Sequence, residues 1–151
     1  MRKALAVTLA LSLTACVASL QQPAALGSIR SLILARQAGM HMATTVKNIR
    51  RAVSAGTDVR DQDAAADGIA MWAEAIPGLF PPGSTASDSR ALPDIWKNKA
   101  DFDRRAADLH EAAQRLSQIA ASGDKAAFAA QVDVVQSRCA ACHERYRAPQ
   151  S

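Results

Sequence analysis

The chain has 151 residues, enough for one domain with a hydrophobic core. Aromatic residues make up only 4% of it, and glycine and proline number 7 and 6, which favours helix over sheet because strand formers are scarce. The formal net charge of +4 includes Arg2 and Lys3 and is too small to indicate a nucleic-acid partner, so none is predicted.

The first residues, MRKALAVTLALSLTAC, have the pattern of an export signal. Arg2 and Lys3 precede an apolar run over residues 4–15. A run of this length is too short to span a bilayer, which needs about 20 residues, but it suits the hydrophobic region of a signal peptide. We therefore expect a signal peptide over 1–18, a mature domain over 19–151 and a periplasmic location.

The cleavage position has two interpretations. Cleavage after Ala18 fits the small residues at positions 16 and 18. Alternatively, Leu13-Thr14-Ala15-Cys16 resembles a bacterial lipobox, in which Cys16 becomes the lipidated first residue and anchors the protein. In both cases Cys139 and Cys142 remain as the thiols of the mature domain.

Two helices and a long loop are predicted in the first part of the mature domain. Apolar residues at 3/4 spacing predict a helix over about 26–55, and a second over about 59–76 follows Thr57 and Asp58, which are both good N-cap types. Residues 77–93 contain four prolines and two glycines and are predicted to form a loop. We expect Leu79 and Phe80 to pack into the core.

Two more helices are predicted in the second part. One begins near Asp94 and has a regular apolar stripe formed by Ile95, Phe102, Ala106, Leu109, Ala113, Leu116 and Ala120. Ser122-Gly123-Asp124 ends it, and Asp124 is expected to cap the last helix, whose stripe contains Phe128, Val132, Val135, Cys139, Cys142 and Tyr146. Four amphipathic helices predict an all-α fold, an antiparallel four-helix bundle.

The last helix contains the segment R-C-A-A-C-H-E-R-Y-R at 138–147. A redox disulfide between Cys139 and Cys142 is one interpretation, but such motifs open a helix after a strand, and no βαβ pattern exists here. A zinc site is a second, but it needs about four ligands, and the other histidines lie on different helices. The third is covalent attachment of c-type haem, for which C-x-x-C-H is the signal.

Helix geometry favours the haem interpretation. Residues at i and i+3 share a helix face, so Cys139 and Cys142 can bind one edge of a porphyrin. The next residue is rotated by about 100°, which allows His143 to reach the iron as its proximal ligand. Export agrees with this prediction, because c-type haem is attached outside the cytoplasm.

The segment at 138–147 resembles the haem end of the class II c-type cytochromes, the cytochrome c′ and cytochrome c-556 family. A-R-Q-A-G-M at 35–40 resembles the family's first-helix motif, and I-P-G-L-F-P-P-G-S at 76–84 and L-P-D-I-W at 92–96 resemble its middle section. The resemblance implies a four-helix bundle with one covalently bound haem c near the C-terminal helix.

By this resemblance, Cys139 and Cys142 form the thioether bonds and His143 is the proximal ligand. Arg36 and Gln37 match a pair that lies near the haem propionates. This would explain why Arg36 falls on an apolar stripe, since a buried guanidinium needs a paired carboxylate. The alternative is that Arg36 extends to the surface.

Met40 matches the family's distal position and has three interpretations. As an iron ligand it gives a six-coordinate haem, as in the electron carriers of the c-556 type. As a bulky cap it leaves the iron five-coordinate and open to small gases, as in the c′ type. It is otherwise a core residue that fills space. Met42 is less suited to binding iron, since two residues are about 200° around a helix.

Arg147 matches the family's basic residue beyond the haem histidine. It is expected to pair with a propionate or to tune His143, unless it is only an exposed terminal charge. Trp72 and Trp96 are expected to pack against the core and the haem edge, and Phe80 to cover the haem. His41 and His110 are expected at the surface.

The sequence therefore predicts an exported haem protein that transfers single electrons to and from redox partner proteins. The alternative is a five-coordinate protein that binds NO or CO, and a third possibility is a helical interaction module without haem. By resemblance, a homodimer through the first two helices is possible. No acid–base pair or substrate cleft is evident, so an enzymatic activity is not predicted.

Overall fold

The computed structural model describes residues 28–149, so residues 1–18 and Cys16 lie outside it. Helix α1 covers 28–39, and the further helices are α2 (Met42–Ser54), α3 (Asp63–Ala75), α4 (Asp94–Lys97), α5 (Lys99–Ser122) and α6 (Lys125–Tyr146). They form the predicted antiparallel four-helix bundle, with α1 and α2 together as its first member. Over this part of the chain, no helix has the length and apolar character needed to cross a membrane.

The apolar stripes of the two long C-terminal helices form the centre of the core. Every predicted stripe residue from Ile95 to Ala120 is at most 8% exposed, and Phe128 and Val135 of α6 are fully buried. They pack against α3 residues such as Ile69 and Ala73. The 3/4 spacing thus identified the buried faces of α5 and α6 correctly, because these helices are regular over many turns.

Two of the predicted helices are interrupted, which the sequence did not predict. The first breaks at Met40 and His41, where His41 N bonds to Ala38 O at 3.1 Å, a tighter i−3 pattern than that of an α-helix. The third breaks at Asn98, whose φ of −123° and ψ of 43° are not helical. Gly39 directly precedes the first break, and Asn98 is the N-cap of α5, a position that asparagine favours, so each break has a short local signal that the apolar stripe obscures.

Both aspartates that the sequence suggested as N-caps accept a backbone hydrogen bond from the turn that follows them. Asp58 accepts a hydrogen bond from Arg60 N at 3.0 Å, but the residues after it, Val59–Gln62, form a 3₁₀ turn before α3 begins. Asp124 caps α6 by accepting from Ala127 N at 3.0 Å. Gly123 ends α5 at a φ of 80°, the left-handed conformation that favours glycine.

The long loop is tied to the bundle at both ends. Its first residues belong to a second 3₁₀ turn, Ile76–Leu79, and Phe80 is buried while Leu79 packs partly against the core, as predicted. At its other end, Leu92 N bonds to Tyr146 O at 3.0 Å and Ala148 N bonds to Arg90 O at 2.9 Å. The loop therefore holds the end of α6 in place.

Candidate functional site

A cavity of about 410 Å³ lies inside the bundle between α1, α2, the long loop and α6. Most of its lining is apolar, and all seven residues that the sequence analysis assigned to the cofactor line it: Arg36, Gln37, Met40, Cys139, Cys142, His143 and Arg147. Residues more than 90 positions apart in sequence therefore meet around one space.

The two cysteines lie one helical turn apart on the cavity wall. Both are half-buried and unpaired, and both pack against the core. Burial raises the pKa of both thiols, that of Cys142 to about 11, so they are protonated at neutral pH. The predicted alternative of a disulfide is not what the structure contains, and the pair faces the cavity.

His143 and Met40 converge across the cavity. Nε2 of His143 lies 3.3 Å from Sδ of Met40. The pKa of His143 is lowered, first by burial and then by the charges of Arg147 and Arg90. The imidazole is therefore neutral at pH 7 and has a free lone pair, which is the state that a metal requires of a histidine ligand.

Arg36 is buried, with 5% of its surface exposed, so the alternative that it extends to solvent is wrong. Its guanidinium donates Nε–H to Leu79 O at 2.7 Å, Nη1–H to Ser84 O at 2.7 Å and Nη2–H to Ser84 Oγ. It also stacks 4.1 Å from the ring centroid of Phe80. No carboxylate pairs with it within residues 28–149, and burial lowers its pKa.

Gln37 and Arg147 lie at the edges of the cavity. Gln37 is exposed, so it is a rim residue rather than a buried partner of Arg36. Arg147 is half-buried, and its backbone N donates to His143 O at 3.1 Å. Its charge is one cause of the lowered pKa of His143, so it lies close enough to influence that ring.

Comparison with known proteins identifies the family to which this arrangement of residues around the cavity belongs. Residues 31–147 match the model of the family described as cytochrome c′. The chain belongs to the cytochrome c′ family. Members of this family bind one covalent haem c, which is therefore the cofactor of this chain.

Three relatives illustrate the range of this family. Cytochrome c-554 of Cereibacter sphaeroides is 40% identical over 88 residues, which are 56% of this chain and 65% of that relative. Cytochrome c-556 of Agrobacterium tumefaciens (strain II Chrys) is 38% identical, over 64% of this chain and 80% of the relative. The solved cytochrome c′ of Thermochromatium tepidum is 31% identical, with a TM-score of 0.73 over 80% of this chain and 97% of the other.

The donor set of this cytochrome fits haem c. Two neutral thiols at i and i+3 lie beside an imidazole with a free lone pair, in a largely apolar cavity. Cys139 and Cys142 would hold the porphyrin edge and His143 the iron, which supplies one-electron chemistry. The buried guanidinium of Arg36, which lacks a carboxylate partner in the described chain, fits a propionate at the same cavity.

The zinc alternative has no support from the other histidines. His41 is exposed. His110, which was expected at the surface, is half-buried, and its Nδ1 lies 2.9 Å from Ala70 O, so it donates a hydrogen bond that links α5 to α3. Neither histidine joins Cys139 and Cys142.

Aromatic side chains form part of the cavity wall of this cytochrome. Trp72 packs so closely over Gly39 that a Cβ there would overlap its ring. Phe80 lies edge-to-face on Phe102, with centroids 4.9 Å apart, and Phe102 lies edge-to-face on Tyr146 at 5.3 Å. Ile76 is also buried and lines the cavity.

A charged network that the sequence did not reveal connects α5 to the cysteine turn. Asp101 accepts hydrogen bonds from Tyr146 Oη at 2.7 Å and from Arg105 Nε at 2.8 Å. Arg105 also donates to the carbonyl of Ala141, between the two cysteines, at 3.3 Å. Arg105 and then Tyr146 hold the pKa of Asp101 down, to about 2. The only sequence signal was the i, i+4 spacing of Asp101 and Arg105.

Acid should remove the contribution of this network. The pKa of Asp101 is about 2 in the folded protein against an ordinary 3.8, so its stabilisation is complete above pH 3.8 and is lost as the pH falls to 2. We expect Asp101→Asn to lower the melting temperature at pH 7, with the difference from the wild type shrinking between pH 4 and pH 2.

Asp103→Asn is the matched control for this measurement. Asp103 lies on the same helix and forms a more exposed ion pair with Lys99, so its removal should have little effect at any pH. A melting-temperature difference for Asp101→Asn that stayed constant down to pH 2 would mean that the charge of Asp101 is not what stabilises the fold.

Proposed function

We propose that this cytochrome is an exported carrier of single electrons whose haem iron is bound by His143 and Met40. The observation that supports this is that His143 Nε2 and Met40 Sδ meet in the haem cavity, 3.3 Å apart. Metal–nitrogen and metal–sulfur bonds are about 2.0 and 2.3 Å long, so the two side chains would move apart to bind one iron between them. A thioether opposite an imidazole gives a six-coordinate, low-spin iron with a raised potential, as suits an electron carrier.

The remaining residues create the environment for that role. The cysteines fix the cofactor on one helix, so it does not leave between electron transfers. Phe80, Phe102, Ile76 and Trp72 exclude water from the cavity, and a low dielectric around the site raises the cost of the extra charge of the ferric state. The bound haem supplies an iron that changes between ferric and ferrous.

Gas binding is the second candidate function. Met40 lies at the break between α1 and α2 and not within a regular helix. A solved cytochrome c′ that is 29% identical to this chain is described by ligand-controlled dissociation of its dimer. By analogy, NO or CO would bind where Met40 does not hold the iron.

Visible spectra of the oxidised and reduced protein, with and without CO, separate the two functions. We expect a low-spin wild type that resists CO. Met40→Ala should then become high-spin and bind CO readily, because the thioether ligand is gone. A wild type that is already high-spin and binds CO would favour gas binding.

Met42→Ala is the control for that variant. Met42 also lines the cavity, but its sulfur accepts a hydrogen bond from Thr45 Oγ1 at 3.7 Å within α2. Its removal should leave the low-spin spectrum unchanged. If the wild type is low-spin and Met40→Ala keeps that spectrum, Met40 is not the iron ligand.

The location and partners belong to the same proposal. The pattern of residues 1–18 supports export to the periplasm, with Cys16 as a lipid anchor if cleavage precedes it. Fractionation of a bacterial host tests the location, and labelling with a radioactive fatty acid tests the anchor. The electron-transfer role implies redox partner proteins, and sedimentation with and without CO tests for a homodimer.

A further inference from the structure

His143 borders a second space besides the haem cavity. An open groove of about 510 Å³ lies beside the end of α6, and Arg90, His143 and Arg147 line it. Glu144 also lines the groove, so two guanidiniums and one exposed carboxylate give it a net positive charge. The imidazole that faces Met40 in the cavity therefore also contributes to a cationic surface groove.

Backbone pairing fixes the walls of this groove. Ala91 and Arg147 form an antiparallel bridge, and Leu92 N and Ala148 N donate across it to Tyr146 O and Arg90 O. The Arg90 guanidinium bonds to Ala148 O through Nε at 3.1 Å and Nη2 at 2.5 Å. The backbone segments that carry the two arginines are thus paired, and the guanidinium of Arg90 is held in place.

Two nitrogen groups of the residues that line the groove have no hydrogen-bond partner within residues 28–149. The guanidinium of Arg147 makes no hydrogen bond or ion pair there. Nδ1 of His143 makes none either, and since no buried side-chain nitrogen of the described chain lacks a partner, Nδ1 must reach solvent. A metal-bound histidine usually donates its other N–H to a carboxylate, a carbonyl or water.

We propose that this groove binds a small oxyanion, of the phosphate or carboxylate type, between Arg147, Arg90 and the Nδ1–H of His143. Arg147 offers a fork of N–H donors that matches two oxygens of such an anion. Arg90 adds its charge from the paired loop segment. The proposal rests on the proposed role of His143 as the iron ligand for the Nδ1–H donor and for its redox consequence, because iron at Nε2 leaves the proton of the neutral ring on Nδ1.

That consequence follows from linkage. An anion that accepts the Nδ1–H of His143 makes the imidazole a stronger donor and adds negative charge, so it binds the ferric protein more tightly than the ferrous one. Each tenfold preference for the ferric state lowers the reduction potential by 59 mV. The oxyanion concentration would therefore adjust the potential of this cytochrome.

Isothermal titration calorimetry of the ferric protein with inorganic phosphate at pH 7 tests the site, with the ionic strength held constant by sodium chloride. We expect saturable 1:1 binding that is weakened about tenfold in Arg147→Gln, because a charge-assisted hydrogen bond is lost. Arg147→Lys, which keeps the charge without the fork, should give an intermediate affinity. The potential should fall with phosphate in the wild type and change less in Arg147→Gln.

Arg138→Gln is the control variant, since Arg138 is exposed on the same helix and lines neither space. It should bind phosphate as the wild type does. The proposal is overturned if phosphate shows no saturable binding, which is the result expected if a haem propionate already occupies Arg147. It is also overturned if Arg147→Gln and Arg138→Gln weaken phosphate binding equally. If the purified protein carried no covalent haem, the proposed electron-transfer function would be contradicted. The comparison of phosphate binding between the wild type and the variants would still test the groove.

Discussion

Replacing Cys139 and Cys142 together with serine is expected to abolish covalent haem in protein matured by a host that attaches it. Both thiols face the same apolar cavity and are protonated, and no other thiol lies in the described chain. Mass spectrometry of the denatured variant should therefore give the mass of the polypeptide alone. Each single variant should retain haem through one bond, in lower yield.

Cys16→Ser is the matched control for the double variant. It removes the third cysteine of the chain and should leave the covalent haem intact, because Cys16 lies outside the C-x-x-C-H motif, in the segment predicted to be the export signal. If the double serine variant still carried the mass of haem, the attachment site would have to lie elsewhere in the chain. The assignment of Cys139, Cys142 and His143 would then be wrong.

The sequence predicted the parts of the fold that depend on a regular period. The stripe from Ile95 to Ala120 and the cap Asp124 are confirmed, because repeated burial and local hydrogen bonds leave a local pattern. Asp58 caps the 3₁₀ turn Val59–Gln62 and not α3 itself. The breaks at Met40–His41 and at Asn98 are marked only by single residues, Gly39 before the first and Asn98 as the N-cap of α5. The apolar 3/4 spacing continues across both breaks, so the period alone predicts unbroken helices.

The same distinction applies to the site. The C-x-x-C-H motif is local, so the sequence alone pointed to the residues that the fold then placed on the cavity wall. The contacts of Asp101 with Tyr146 and of Arg36 with Ser84 join residues 45 and 48 positions apart. Nothing in either local segment specifies its partner, and carbonyl acceptors are invisible in a sequence.

Removing the hydrogen bonds that Arg36 donates to the loop should give the largest loss of folding stability that we expect. Arg36→Met keeps the length of the side chain but leaves the oxygens of Leu79 and Ser84 without their donors. Ser84 is only 2% exposed, so water does not readily replace the guanidinium. We expect a loss of about 2–4 kcal/mol in the free energy of unfolding, because three hydrogen bonds to a charged group disappear while the cost of burying that charge is relieved.

Urea unfolding of the haem-loaded protein at pH 7 measures this effect, with Arg30→Met as the matched control. Arg30 is exposed on the same helix, so its replacement should change the free energy by less than about 0.5 kcal/mol. Ser84→Ala should cost about 1 kcal/mol, and only part of its effect should vanish in the Arg36→Met background. The two residues share one contact, but Ser84 Oγ also donates to Pro81 O at 2.6 Å.

The loop itself provides the second measurement for Arg36. Arg36 stacks on Phe80 and holds the backbone at Leu79 and Ser84, so its loss should release the segment that covers the cavity. Limited proteolysis should then cut within residues 80–90 faster in Arg36→Met than in the wild type, while Arg36→Lys should fall between them. If Arg36→Met were as stable as the wild type and its loop equally protected, Arg36 would not hold the loop, and its burial would have to depend on the cofactor's carboxylates alone.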